Sequence, residues 1–181
     1  MKVYMLKHSY SYEIFEGIMT ENGKFIGTYR TEEKAKETIK KLKLVQGFNR
    51  FPENCFQIST CIVGEEHWTK GFIPQNGQEI DNSFIKVEKD TREIGIPAKL
   101  YSLEHTYEYE IVEDIKLDET KFIGVYKTEL EAIAAKEKLL KVQGFNQFPE
   151  DSFNISEEVL DEDNWTEGFI TWDGETQEWI E

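Results

Sequence analysis

The stretch Lys2–Ile18, K-V-Y-M-L-K-H-S-Y-S-Y-E-I-F-E-G-I, returns at Lys99–Ile115 as K-L-Y-S-L-E-H-T-Y-E-Y-E-I-V-E-D-I. Every even position of the first stretch is identical in the second: Lys2, Tyr4, Leu6, His8, Tyr10, Tyr12, Ile14, Glu16 and Ile18. Of the odd positions between them only Glu13 is kept. A period of two is the spacing at which side chains share one face of a β-strand. One face of this segment is therefore held and the other is free to change. Seventeen residues exceed an ordinary strand, so two strands or a bent hairpin are expected here.

Outward from this stretch the match continues without a gap. Residues 2–73 align with 99–170 at a constant offset of 97, and 37 of the 72 pairs are identical. The chain is a tandem duplication, with too few copies for a solenoid. Asn76-Gly77 and Asp173-Gly174 fall at the same offset beyond the strict repeat, and both are type I′ hairpin signals. The expected organisation is a first unit with its closing hairpin over 1–90, a linker over 91–98 and a second such unit over 99–181.

Each unit carries the marks of one helix among strands. A strand is expected at K-F-I-G-T-Y-R and its twin K-F-I-G-V-Y-K. Thr31 and Thr128 then read as N-caps, and T-E-L-E at Thr128–Glu131 as a capping box; the first copy has Lys34 where the box needs Glu. Ala35, Leu42 and Val45, with Ala132, Leu139 and Val142, mark a helical face. The pentapeptide V-Q-G-F-N, shared by Val45–Asn49 and Val142–Asn146, reads as a helix stop with Gly47 or Gly144 in the left-handed C′ position. A further strand follows F-P-E. The expected fold is α+β: two homologous domains, each β-β-β-α-β plus a terminal hairpin, with one helix on an antiparallel sheet.

Composition narrows function mainly by exclusion. The 181 residues carry a net charge of −15, which disfavours nonspecific binding to nucleic acid or to acidic membranes. There is no apolar run of transmembrane length and no apolar signal-peptide core at the start, so the cytoplasm is the expected compartment. No phosphate-binding glycine loop, G-x-S-x-G or H-E-x-x-H motif occurs. Cys55, Cys61 and His67 become Ser152, Glu158 and Asn164 in the second copy, which argues against a metal site. One His per unit without an evident base–nucleophile pair argues against catalysis, and no cofactor is expected. Neither N-I-S at 154 nor N-W-T at 164 is kept in the first copy, so both sequons read as coincidence.

Two features remain as candidate binding surfaces. His8, Tyr10 and Tyr12, with His105, Tyr107 and Tyr109, share one strand face. They either present a polar-aromatic surface to a ligand or partner, or pack under the helix. Trp68 and Trp165 carry the same two readings, as core-closing aromatics or interface anchors. The second feature is charge. Residues 2–73 are net +2 and residues 99–170 net −11. The acid run E-E-V-L-D-E-D offers Glu157, Glu158, Asp161, Glu162 and Asp163, either as a solvated face or as a recognition surface for a basic protein.

The combined pattern Y-x-L-x-H … F-I-G-V-Y … G-F … F-P-E … F-x-I … W-T-E-G-F resembles a family of small bacterial domains of unknown function, across both repeats. The resemblance implies a soluble, non-enzymatic bacterial module. By analogy with other small acidic bacterial domains, it suggests an inhibitor or immunity-type protein. The leading expectation is a non-catalytic protein-binding module whose acidic second repeat faces a basic partner. The alternative is a small-molecule or nucleotide binder using the His/Tyr face.

Overall fold

A computed structural model describes residues 1–15, 17–69, 97–112, 115–168, 171–173 and 178–180. The first repeat contributes strand β1 (Lys2–Phe15), strand β2 (Ile18–Tyr29), helix α1 (Glu32–Leu42) and strand β3 (Phe56–Ile62). The second contributes β4 (Lys99–Val112), β5 (Ile115–Tyr126), α2 (Glu129–Leu139) and β6 (Phe153–Val159), and then the short strands β7 (Thr171–Asp173) and β8 (Glu178–Ile180). Each repeat is a three-stranded antiparallel sheet, ordered β2-β1-β3 or β5-β4-β6, with one helix: an α+β fold with two similar halves.

Where the pattern suggested three strands before the helix, the same residues form two long ones. β1 stays paired with β2 from Tyr4↔Tyr29 to Phe15↔Ile18, and a register shift at Leu6/Lys7 lets so long a ribbon bend without breaking. The second repeat repeats that shift at Leu103/Glu104.

Both helices begin as expected. Thr31 Oγ1 accepts from Lys34 N–H at 3.2 Å, and Thr128 with Glu131 forms the full capping box. They stop earlier than expected. α1 ends at Leu42, so Gly47 is not its C′ residue. Gly47 and Gly144 do take left-handed φ values of 87° and 94°. They do so one turn later, where Asn49 N–H returns to Val45 O and Asn146 N–H to Val142 O. Phe48 and Phe145, which follow, are fully buried, so the turn serves to drive an aromatic ring into each core.

The helix buries Ala35, Ile39 and Leu42 against Leu6, Ile26, Tyr29 and Phe56 of its sheet and against Phe48 of the turn that follows it; Ala132, Ala135 and Leu139 do the same in the second repeat. The kept face of β1 is thus the face under the helix. Such aromatic and aliphatic side chains each contribute about 1.5–3 kcal/mol on burial.

The compact units are not laid out in chain order. One comprises Met1 and Cys61–Glu158; the other comprises Lys2–Thr60 and Val159–Glu181. In the first, the segment after β3 leaves its own repeat and lies along β5. Gly64 N–H donates to Val125 O at 2.7 Å and His67 N–H to Ile123 O at 2.6 Å, with an antiparallel bridge Glu66↔Gly124. In the second, the segment after β6 lies along β2, with Asp161 N–H on Thr28 O at 2.8 Å and Asn164 N–H on Ile26 O at 2.6 Å. We call these segments strap one (63–69) and strap two (160–168), and the repeats they lie on body two and body one. Each covers the outer edge of a three-stranded sheet, which would otherwise present unpaired backbone groups. Each also brings a tryptophan: Trp68 packs on Phe145 with ring centroids 5.0 Å apart, and Trp165 packs against the core of body one beneath Lys24, whose Nζ is 4.5 Å from the ring. The tryptophans are therefore closing aromatics of a core.

β7 and β8 pair as a hairpin after the second repeat, from Thr171↔Ile180 to Asp173↔Glu178, so Asp173 is a paired strand residue and not a central residue of the two-residue type I′ turn expected there. The corresponding Asn76-Gly77 lies outside the described residues.

Candidate functional site

The alternation of β1 sends His8 under the helix, where its exposure is 0%. Its imidazole meets three phenylalanine rings nearly edge-on: Phe48 at 5.1 Å, Phe51 at 5.2 Å and Phe56 at 4.5 Å. His105 has the same cage of Phe145, Phe148 and Phe153 at 5.2, 5.3 and 4.5 Å. Burial among these rings disfavours the imidazolium and lowers both pKa values to about 4. These rings are neutral core elements at neutral pH.

Further along the same face the strand ribbon emerges. Tyr10 stacks on Phe51 at 4.5 Å and accepts from Asn22 through its hydroxyl, while Tyr12 is exposed. Tyr107 leans on Phe148 at 5.1 Å and donates to Glu119 at 3.3 Å; Tyr109 is exposed. Burial first, and then the Glu119 charge, raises the Tyr107 phenol above its ordinary range.

The five acidic residues of the run 157–163 do not act together. Glu157 holds Lys99 at 2.5 Å and the Tyr101 hydroxyl at 3.3 Å. Glu158 is buried, near Cys61; burial pushes the Cys61 thiol up to about 11, and the Glu158 charge adds to the effect. Asp161 and Asp163 are the hooks of strap two. Asp161 accepts from Arg30 N–H at 2.9 Å, ion-pairs with the Arg30 guanidinium and lies 3.0 Å from Lys34 Nζ. Burial pushes the Asp161 carboxyl up, but Arg30 and Lys34 together outweigh it and hold the group below its usual range. Asp163 accepts from the Tyr29 hydroxyl at 2.6 Å and from Thr38 at 3.1 Å. Glu162, between the two hooks, is exposed.

Strap one is hooked differently. Its carboxylate is Glu66, which accepts from Lys138 through both oxygens at 2.9 Å. Position 64 is a glycine at φ 83°, where strap two has Asp161 at φ 68°. Sequence reading did not single out Tyr29, Arg30, Thr38, Glu66 or Lys138. The available signal was the paired change Lys34/Glu131 and Gly64/Asp161, which means little until the strap is known to cross.

Outside the straps, the second repeat carries an open cleft of about 440 Å³. Thr106, Tyr107, Glu108, Asp118, Phe148, Pro149, Asp151, Ser152 and Asn154 line it. Two aromatic side chains and three carboxylates thus share one concavity, and none of the lining residues is basic. Their counterparts 97 positions earlier are Ser9, Tyr10, Ser11, Glu21, Phe51, Pro52, Asn54, Cys55 and Gln57, with a single carboxylate. Glu108 also pairs with Lys116 at 2.7 Å.

Residues 1–72 match the family described as a domain of unknown function, DUF7336. The match spans one repeat: β1, β2, α1, β3 and strap one. No curated protein and no solved structure matches the chain. Among the described residues, no helix is long and apolar enough to cross a membrane.

Proposed function

We propose that the chain is a non-catalytic protein-binding module of the inhibitor or immunity type, and that its second repeat receives basic groups of a partner protein in the cleft beside Tyr107 and Phe148. The cleft carries this reading. Two near-identical scaffolds keep the aromatic pair (Tyr10/Phe51 and Tyr107/Phe148), while the second adds Glu108 and Asp151 around it. An arginine or lysine side chain has the matching chemistry: an apolar stem to lie on the rings and a cation for the carboxylates. The reading moves the acidic recognition surface away from most of the run 157–163. Asp161 and Asp163 are committed to Arg30, Lys34, Tyr29 and Thr38, and Glu158 is buried. It also moves it away from the caged His8 and His105 and toward the outer end of the tyrosine face.

Titration with a short arginine-containing peptide, followed by backbone amide chemical shifts, tests the proposal. Shifts are expected at 106–108, 118 and 148–154, to be absent at the counterparts 9–11, 21 and 51–57, and to vanish in Glu108→Gln/Asp118→Asn/Asp151→Asn. Shifts spread evenly over both repeats, or surviving the triple substitution, would sink it.

A further inference from the structure

The two repeats differ in a matched way where strap meets helix. In body two the helix closes its own start: Glu131 Oε2 accepts from Thr128 N–H at 3.3 Å and from Lys127 N–H at 2.9 Å. In body one the equivalent position is Lys34. There the N–H of Arg30, the counterpart of Lys127, is taken by Asp161 at 2.9 Å, a carboxylate delivered by strap two. Lys34 reaches the other oxygen of the same carboxylate at 3.0 Å. The strap thus supplies to the Arg30 N–H the carboxylate that Glu131 of the helix itself supplies to the Lys127 N–H in body two. Strap one has Gly64 in place of Asp161, and so brings no carboxylate to the Lys127 N–H, which Glu131 already holds.

We propose that positions 34 and 161, with 131 and 64, form a pairing code that assigns each strap to the other repeat's body and excludes it from its own. Strap two returned to body two would aim Asp161 at the Lys127 N–H that Glu131 already occupies, setting two carboxylates on one donor. Strap one returned to body one would offer Gly64 to Arg30 N–H and Lys34, leaving both without the carboxylate they hold now. The shared elements do not discriminate. Both straps make the same two backbone hydrogen bonds, both carry a tryptophan, and Lys41 stands in body one where Lys138 stands in body two. The choice therefore rests on the residues that diverged.

Full-length variants test the code by amide hydrogen exchange, read at Asn164 N–H for strap two and at His67 N–H for strap one. Lys34→Glu alone and Asp161→Gly alone are each expected to speed exchange at Asn164 by about tenfold or more, with His67 unchanged. The combination Lys34→Glu/Asp161→Gly writes the code of body two into body one and is expected to slow exchange at Asn164 to within about threefold of the parent. The reciprocal set is Glu131→Lys alone and with Gly64→Asp, read at His67; it gives the same pattern and remains measurable if the first set fails to fold. The code is overturned if Lys34→Glu or Glu131→Lys leaves exchange unchanged, or if either double variant exchanges faster than its single variants.

Discussion

The Tyr29 hydroxyl donates to Asp163 across 134 residues of chain at 2.6 Å, whereas its counterpart Tyr126 is buried with no hydrogen-bond partner for its hydroxyl among the described residues. The cause lies one side chain away. Asp163 is short and meets Tyr29 and Thr38, while Glu66 is longer and turns to Lys138; Thr38 is replaced by Ala135. Tyr29→Phe removes a hydrogen bond to a charged group and should cost about 1.5–3 kcal/mol. Tyr126→Phe removes a buried polar atom that makes none and should be neutral or stabilising. Urea denaturation of the two variants checks the asymmetry, and equal losses would contradict it.

Asp161 should make the chain acid-sensitive. Its folded pKa is depressed by Arg30 and Lys34 against the upward push of burial. Its contribution is therefore complete above the unfolded value, about 3.9, and is lost as pH falls from there through the folded value. Thermal melts between pH 2 and 6 should show the parent and Asp161→Asn converging at the acidic end and separating toward pH 6.

The caged histidines act in a higher window. The folded pKa is lowered to about 4, below the unfolded value of 6.5. The unfolded chain then binds more protons between these values, so stability is full above pH 6.5 and falls as pH drops toward 4. The limit is on the order of 3 kcal/mol for each ring. Ring proton shifts of His8 and His105 should titrate near pH 4, and a midpoint near 6.5 would show that the cages are open.

A cut between the repeats should not separate them. Each compact unit contains chain from both sides of residues 80–90, because strap one lies on body two and strap two on body one. With a protease recognition sequence inserted there and cleaved, the two fragments should co-elute in size-exclusion chromatography and part only in denaturant. Carbodiimide should also join them through Lys34–Asp161 and Lys138–Glu66, which are 3.0 and 2.9 Å apart. Fragments that elute separately would show that the straps return to their own repeats.

Tight backbone approach explains a glycine that the repeat alone leaves unexplained. A Cβ at Gly124 would lie 2.8 Å from Glu65 O of strap one. Gly124→Ala must push backbone away from backbone, and should destabilise the chain by about 1–3 kcal/mol. It should also raise exchange at His67 more than at Asn164.

Much of this fold can be read locally. The even-position identities of 2–18 mark the face that packs under the helix. The caps at Thr31 and Thr128, and the box with Glu131, are set by residues three apart. The strand count before the helix was harder, because a 14-residue strand with a bulge gives the same period as two shorter ones. α1 ends one turn before the position that V-Q-G-F-N predicts, because that pentapeptide holds a left-handed glycine in the turn after the helix as readily as at its cap. Strap crossing lies beyond local pattern altogether. Gly64 and Asp161 choose bodies by partners that are not their neighbours in sequence, and duplication makes both destinations look alike. The cleft was half legible: Tyr107 belonged to the noted face, but Phe148 and Asp151 reach it from the loop before β6.

Crossing also gives the chain a timetable. Body one is complete as a sheet and helix once residue 62 is made, yet the edge of β2 stays open until strap two is synthesised, about a hundred residues later. At about 5–20 residues per second the exposed edge persists for roughly 5–20 s on each ribosome, long compared with hairpin closure. During that interval the strap nearest at hand is strap one. The missing carboxylate at Gly64 then decides whether body one closes early on the wrong segment or waits for the right one.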